Sequence, residues 1–147
     1  MNALSPTEVA ALLTSCPVFA PMPAEDVALL GEIMRTERFR AGQKVCVAGE
    51  TASEVYVIAD GTLGVSLPGD ARIVRQMRRG EILGEYGMFG RGVRTATVEA
   101  QEDAVLLSLD YERFREFLLA FPASTLALLE VTVQRMTSAE AEARKGG

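Results

Sequence analysis

Between Gly84 and Val98 the chain reads GEYGMFGRGVRTATV. A carboxylate, Glu85, and Tyr86 stand between Gly84 and Gly87, and nine residues after Glu85 comes Arg94, followed by Thr95, Ala96 and a β-branched run. Glycines let main-chain N–H groups approach an anion closely, and the start of a helical turn favours negative charge there. The planar fork of an arginine matches phosphate oxygens better than an ammonium does. A carboxylate beside the same anion is repelled, so Glu85 makes sense only facing a hydrogen-bond donor such as a hydroxyl. The competing reading is a plain surface ion pair between Glu85 and Arg94, which contributes little and leaves the glycines and the small-residue run unexplained.

The composition narrows the chemistry. The 147 residues, 48% of them hydrophobic, suit one domain with a proper core. Fifteen basic and twenty acidic residues leave a net charge of −5, the wrong sign for a general nucleic-acid binder, so an anion site must be local. There is no histidine. The chain therefore lacks the usual base near neutral pH, the commonest zinc ligand and the usual haem ligand, and a metal-dependent β-roll enzyme of the cupin type is disfavoured. Two separated cysteines, Cys16 and Cys46, in apolar settings suit free buried thiols in a reducing cytoplasm. No apolar run approaches the roughly 18 residues of a membrane span. The expectation is a binding module without metal or cofactor, not an enzyme.

The elements that must hold the cassette follow from periodicity. Ser5-Pro6-Thr7-Glu8 is a capping box with proline at the first helical position, and Val9, Leu12, Leu13 and Cys16 follow at helical spacing. Val27, Leu30 and Met34 mark a second helix that Gly31 weakens. From Phe39 to Leu109 the runs KVCVA, EVYVIA, TLGVSL, RIVRQM, RTATVEA and AVLLSL alternate with turns at Gly42, Gly49, Gly61, Gly69 and Gly80. Asp110 reads as the N-cap of a helix with Phe114, Phe117, Leu118 and Phe121 on one face, ending at Pro122. A last helix runs from about Ala123 to Ala139-Glu140. Its Leu126, Leu129, Val133 and Met136 step by three, four and three, which suits either docking on the roll or a coiled-coil seam. The fold expected is mainly β with flanking α: an antiparallel β-roll or jelly roll over 37–109, N-terminal helices in 1–36 and two C-terminal helices in 110–140.

In this order the segments FRAGQKVCVAGE, YVIADGTLGV, RGEILGE and RTATV resemble the cyclic nucleotide-binding domain family, and the resemblance covers nearly the whole chain. It implies a phosphate-binding cassette over 83–98 in which Gly84, Glu85, Tyr86, Gly87, Arg94, Thr95 and Ala96 hold a cyclic mononucleotide, with Glu85 on the ribose 2′-hydroxyl. The ligand it implies is cAMP first and cGMP second. Val65, Val74 and Met77 match positions that flank the base in relatives, and are equally ordinary core positions. Arg75 either reaches the base edge or sits in solvent. Arg135 resembles an arginine that relatives direct back to the cassette glutamate, which makes the last helix the output element. The chain stops before the helix-turn-helix of catabolite activator proteins, so no DNA-binding module is expected. The partners implied are a second copy through the C-terminal helix, or an effector domain or protein outside this chain.

Overall fold

A computed structural model describes residues 4–84 and 92–145 of the chain. Helix α1 (Pro6–Ser15) begins with the expected reciprocal cap between Ser5 and Glu8. Helix α2 (Ala24–Ile33) packs on it. Gly31 is the point of contact: a Cβ there would lie 2.8 Å from Val9 Cγ1, so the residue that weakens the helix is also what lets the two helices approach. Met34 falls outside the helix, as its C-cap.

Eight strands follow: β1 (Arg35–Phe39), β2 (Lys44–Cys46), β3 (Glu54–Asp60), β4 (Leu63–Ser66), β5 (Arg75–Met77), β6 (Ile82–Leu83), β7 (Thr97–Ala100) and β8 (Ala104–Asp110). They form two antiparallel four-stranded sheets, ordered β1-β8-β3-β6 and β2-β7-β4-β5. The five expected turn glycines all adopt positive φ. Two strands lie outside the runs expected from the sequence. β1 starts at Arg35, because RTERF is a polar edge strand whose pairing with β8, not its hydrophobicity, defines it. β6 is two residues long, too short to carry a pattern.

β3 and β8 are central in their sheet, and their side chains alternate between two cores. Val55, Val57, Ala59, Val105, Leu107 and Leu109 face the helices, with Leu13, Phe19, Leu30 and Phe114. Tyr56, Ile58, Ala104 and Leu106 face the roll interior, with Cys46, Leu63, Met77, Val98 and Ala100. That double burial is why EVYVIA and AVLLSL read as nearly unbroken apolar runs.

Asp110 caps α3 (Tyr111–Ala120) through Arg113 N. Phe121 turns the chain into α4 (Pro122–Lys145), which continues past Ala139-Glu140 because the residues beyond are alanine, glutamate, arginine and lysine, all strong helix formers. The apolar row of α4 does not dock on the roll. Leu126, Leu129, Val133 and Met136 are 52–60% exposed, while Ser124, Ala127, Leu128 and Val131 form the buried face. Ser124 Oγ donates to Asp26 Oδ2 at 2.7 Å, tying the first turn of α4 to α2.

Candidate functional site

Three pieces of chain converge at one end of the roll interior: the start of β3, the end of β6, and the loop 92–96 before β7. The loop is fixed by its main chain. Arg94 N donates to Glu50 O at 2.9 Å, Gly49 N to Arg94 O at 2.8 Å, and Ala52 N to Gly92 O at 2.6 Å. Thr51 and Val93 form an isolated bridge between the same segments. The run RTATVEA thus enters the sheet only at Thr97, whose Oγ1 accepts from Ala48 N. Arg94, Thr95 and Ala96 are left as loop residues ahead of the strand.

The Arg94 guanidinium reaches across this mouth. Its Nη2 donates to the main-chain oxygen of Glu54 at 2.8 Å, and its carbon lies 5.8 Å from the centroid of the Tyr56 ring. Gly84 closes the other side with φ +93°, and a Cβ built there would overlap Arg94 Nη1 and stand 2.8 Å from Glu54 O. Only glycine meets both the dihedral and the space. The hydroxyl of Tyr111 donates to Gly84 O, anchoring the same turn to α3.

The electrostatics are those of a half-buried charged pocket. Burial, then the nearby Glu37 carboxylate, raise the Glu54 carboxyl above its ordinary value, while Arg35 and Arg94 oppose this. Glu54 Oε2 is buried without a hydrogen-bond donor, and Arg35 Nη2 approaches it only to 3.8 Å. Burial, with Glu54 and Glu37, pushes the Tyr56 phenol up to about 12, so the ring beneath Arg94 is neutral. Among the described residues no three His, Cys, Asp or Glu side chains come together as a metal site. A groove of about 440 Å³ between α2 and α3 shares no residue with this mouth.

The structure brings Gly84 and Arg94 together, with Ala96 half-buried and Thr95 exposed beside them. Glu85, Tyr86 and Gly87, and Met88 with them, lie outside the described residues. Val65 and Met77 line the interior cluster. Val74 does not join them: it precedes Arg75, the cross-strand partner of Val65, and is 52% exposed. Arg75 pairs with Glu81 at 2.9 Å. Arg135 is exposed on α4. Tyr56, Glu54 and Tyr111 were not legible as site residues. The available signal was the phase of EVYVIA, which sets Tyr56 on the interior face with Ile58.

A family model described as the cyclic nucleotide-binding domain matches residues 36–121, more than half of the chain. The chain belongs to that family. Among solved structures, the chain is similar to the N-terminal domain of a transcriptional regulator from Streptomyces coelicolor A3(2), with TM-score 0.79, 25% identity, and coverage of 89% of this chain and 93% of that one. The regulatory domain of Toxoplasma gondii PKA with cAMP shares the fold at TM-score 0.72 and 21% identity, covering 86% of this chain and 49% of that one. The cGMP-dependent protein kinase egl-4 of Caenorhabditis elegans is 36% identical over 91 residues, 62% of this chain and 11% of the kinase. The chain spans between 11% and 22% of the length of such curated relatives. As a cyclic nucleotide-binding domain it has the expected β-roll and flanking helices. No single helix among the described residues is long and apolar enough to cross a membrane.

Proposed function

We propose that this domain is a regulatory sensor, not an enzyme, that takes a cyclic purine mononucleotide at the mouth of the roll and signals through α4. The observation that carries the reading is Arg94: a guanidinium drawn against the main chain of Gly84 at the end of an apolar interior, where a phosphate bearing one charge would find both a fork and a glycine-lined turn. Glu85 takes the ribose 2′-hydroxyl. The phosphate-binding role of the intervening cassette and the 37–109 extent of the roll domain are part of the same proposal. Titration calorimetry of the whole chain against a panel of cyclic mononucleotides tests it. Losing a charge-assisted contact costs about 1.5–3 kcal/mol, so Arg94→Ala binds roughly one to two orders of magnitude more weakly than the parent. Equal affinities would remove the assignment. A degenerate domain that only mediates protein contacts is not favoured while Gly84 and Arg94 stand together as they do.

For the base, the sequence ranks cAMP ahead of cGMP. A second reading, cGMP, has Arg75 as its candidate: it stands opposite Val65 on β4 and would exchange its Glu81 partner for the base. An arginine offers two donors to guanine O6 and N7, where adenine presents an amino group instead. The cGMP-dependent kinase relative points the same way. Side-by-side affinities decide: more than tenfold preference for cGMP, lost in Arg75→Ala or Thr95→Ala, selects the second reading.

The output element is α4, and its outward apolar row suits a second copy of the chain or an effector. Arg135 links that helix to the cassette.

A further inference from the structure

We infer that Tyr56 is the positioning residue of the site, holding the Arg94 guanidinium in its binding orientation before any ligand arrives; this rests on the reading of Arg94 given above. Tyr56 is 7% exposed and is fixed from several sides. It is paired with Ser108 on β8 and with Leu83 on β6, and its ring meets Phe39 edge-on at 6.3 Å. Leu83 directly precedes Gly84, so the same residue holds the strand leading into Gly84 through its main chain and underlies Arg94 through its ring. The guanidinium lies within the distance at which a cation is attracted to an aromatic face. The Glu54 oxygen then sets its in-plane direction. An arginine so held has fewer rotamers to lose when it meets a phosphate, and that saving appears as affinity. The hydroxyl has no part in this, whereas the ring is essential.

The test uses the full chain and cAMP and cGMP as probes. In the ligand-free protein, the side-chain protons of Arg94 are shifted upfield by the ring in the parent and in Tyr56→Phe; their absence from the shifted region in the parent would overturn the inference without recourse to any variant. In calorimetry, Tyr56→Phe binds within about twofold of the parent and Tyr56→Leu about tenfold more weakly, the size of a partly desolvated cation–aromatic contact. In an Arg94→Ala background Tyr56→Leu has no further effect. Parent-like affinity in Tyr56→Leu, or the same tenfold loss with Arg94 already gone, overturns the role, the latter because it marks a purely structural residue. If the parent itself bound no member of the panel, the nucleotide reading would fall and this role with it, an outcome distinguished from failure of the inference alone by the parent's own titration.

Discussion

Arg94 and Glu54 are joined through a main-chain oxygen, the arginine Nη2 donating to it at 2.8 Å from a loop forty residues away in sequence. Because the acceptor belongs to the backbone, no side-chain change at position 54 removes it. The contact can be broken only by moving Arg94, and Gly84 is the residue placed to do so.

Gly84→Ala would set a methyl group where Arg94 Nη1 and Glu54 O already are, at a φ of +93° that alanine adopts poorly. The arginine can swing away, but the carbonyl is backbone and cannot. The expected outcome is a loss of stability of about 1–3 kcal/mol, read by urea denaturation, with at least tenfold weaker nucleotide binding. Unchanged affinity would show that Arg94 does not need this orientation.

Glu54→Gln separates the carboxylate from the carbonyl. The folded-state pKa of Glu54 is raised, first by burial and then by Glu37. For an acid shifted this way, the protonated form is favoured by folding. Its contribution is therefore present below the unfolded value and is lost as pH rises through the folded one. Glu54→Gln is accordingly more stable than the parent at neutral pH, and the gap closes below about pH 4. The Arg35 pair it gives up is long, at 3.8 Å, and its arginine is exposed, so it offsets little. Melting curves of both proteins between acid and neutral pH check this; a gap independent of pH would refute it.

The order of elements was legible because capping, period and turn chemistry agreed: Ser5 with Glu8, Asp110 with Arg113, and the glycines at positive φ all stand where the sequence put them. Gly84 and Arg94 were legible as parts of one cassette through the family's order and spacing, and the structure adds that the two meet. Tyr56 was not, since an aromatic in a buried strand is ordinary core until its neighbour is seen to be a cation. Val74 is the opposite case: RIVRQM reads as one strand, but only Arg75–Met77 is paired as strand, and an apolar residue ahead of it lies in the open.

Ser124→Ala removes the donor that ties α4 to α2. Ser124 is wholly buried and its partner Asp26 lies 98 residues away. A hydrogen bond to a charged group contributes about 1.5–3 kcal/mol, so the variant unfolds at lower urea and its amides exchange faster in the first turn of α4. Asp26→Asn keeps an acceptor and costs less. Equal loss in both variants would mean that charge, not the hydrogen bond, holds the junction.

The thiols report on the two cores separately. Burial pushes Cys16 up to about 11 and raises Cys46 as well, and both side chains are buried. Thiolate is the reactive form, so neither reacts with a disulfide reagent at pH 8 in the folded protein, and both do in guanidinium. Prompt labelling of Cys46 alone, whose Sγ lies 3.7 Å from Ala96 O, would instead mark the loop 92–96 as opening on its own.

The outward row of α4 carries the last prediction. A helix with Ala127, Leu128 and Val131 buried on one side and Leu126, Leu129, Val133 and Met136 exposed on the other has satisfied its own domain and still presents apolar surface. The three-four-three spacing fits a short seam between two copies. Sedimentation should show concentration-dependent dimers. Leu129→Glu with Val133→Glu should give monomers with an unchanged melting temperature for the monomeric fold, since neither side chain enters the core. If α4 is also the output, nucleotide slows amide exchange between Ala123 and Met136, and Arg135→Ala removes that slowing while leaving ligand bound. A monomeric parent whose exchange over this segment ignores saturating nucleotide would leave α4 with neither role.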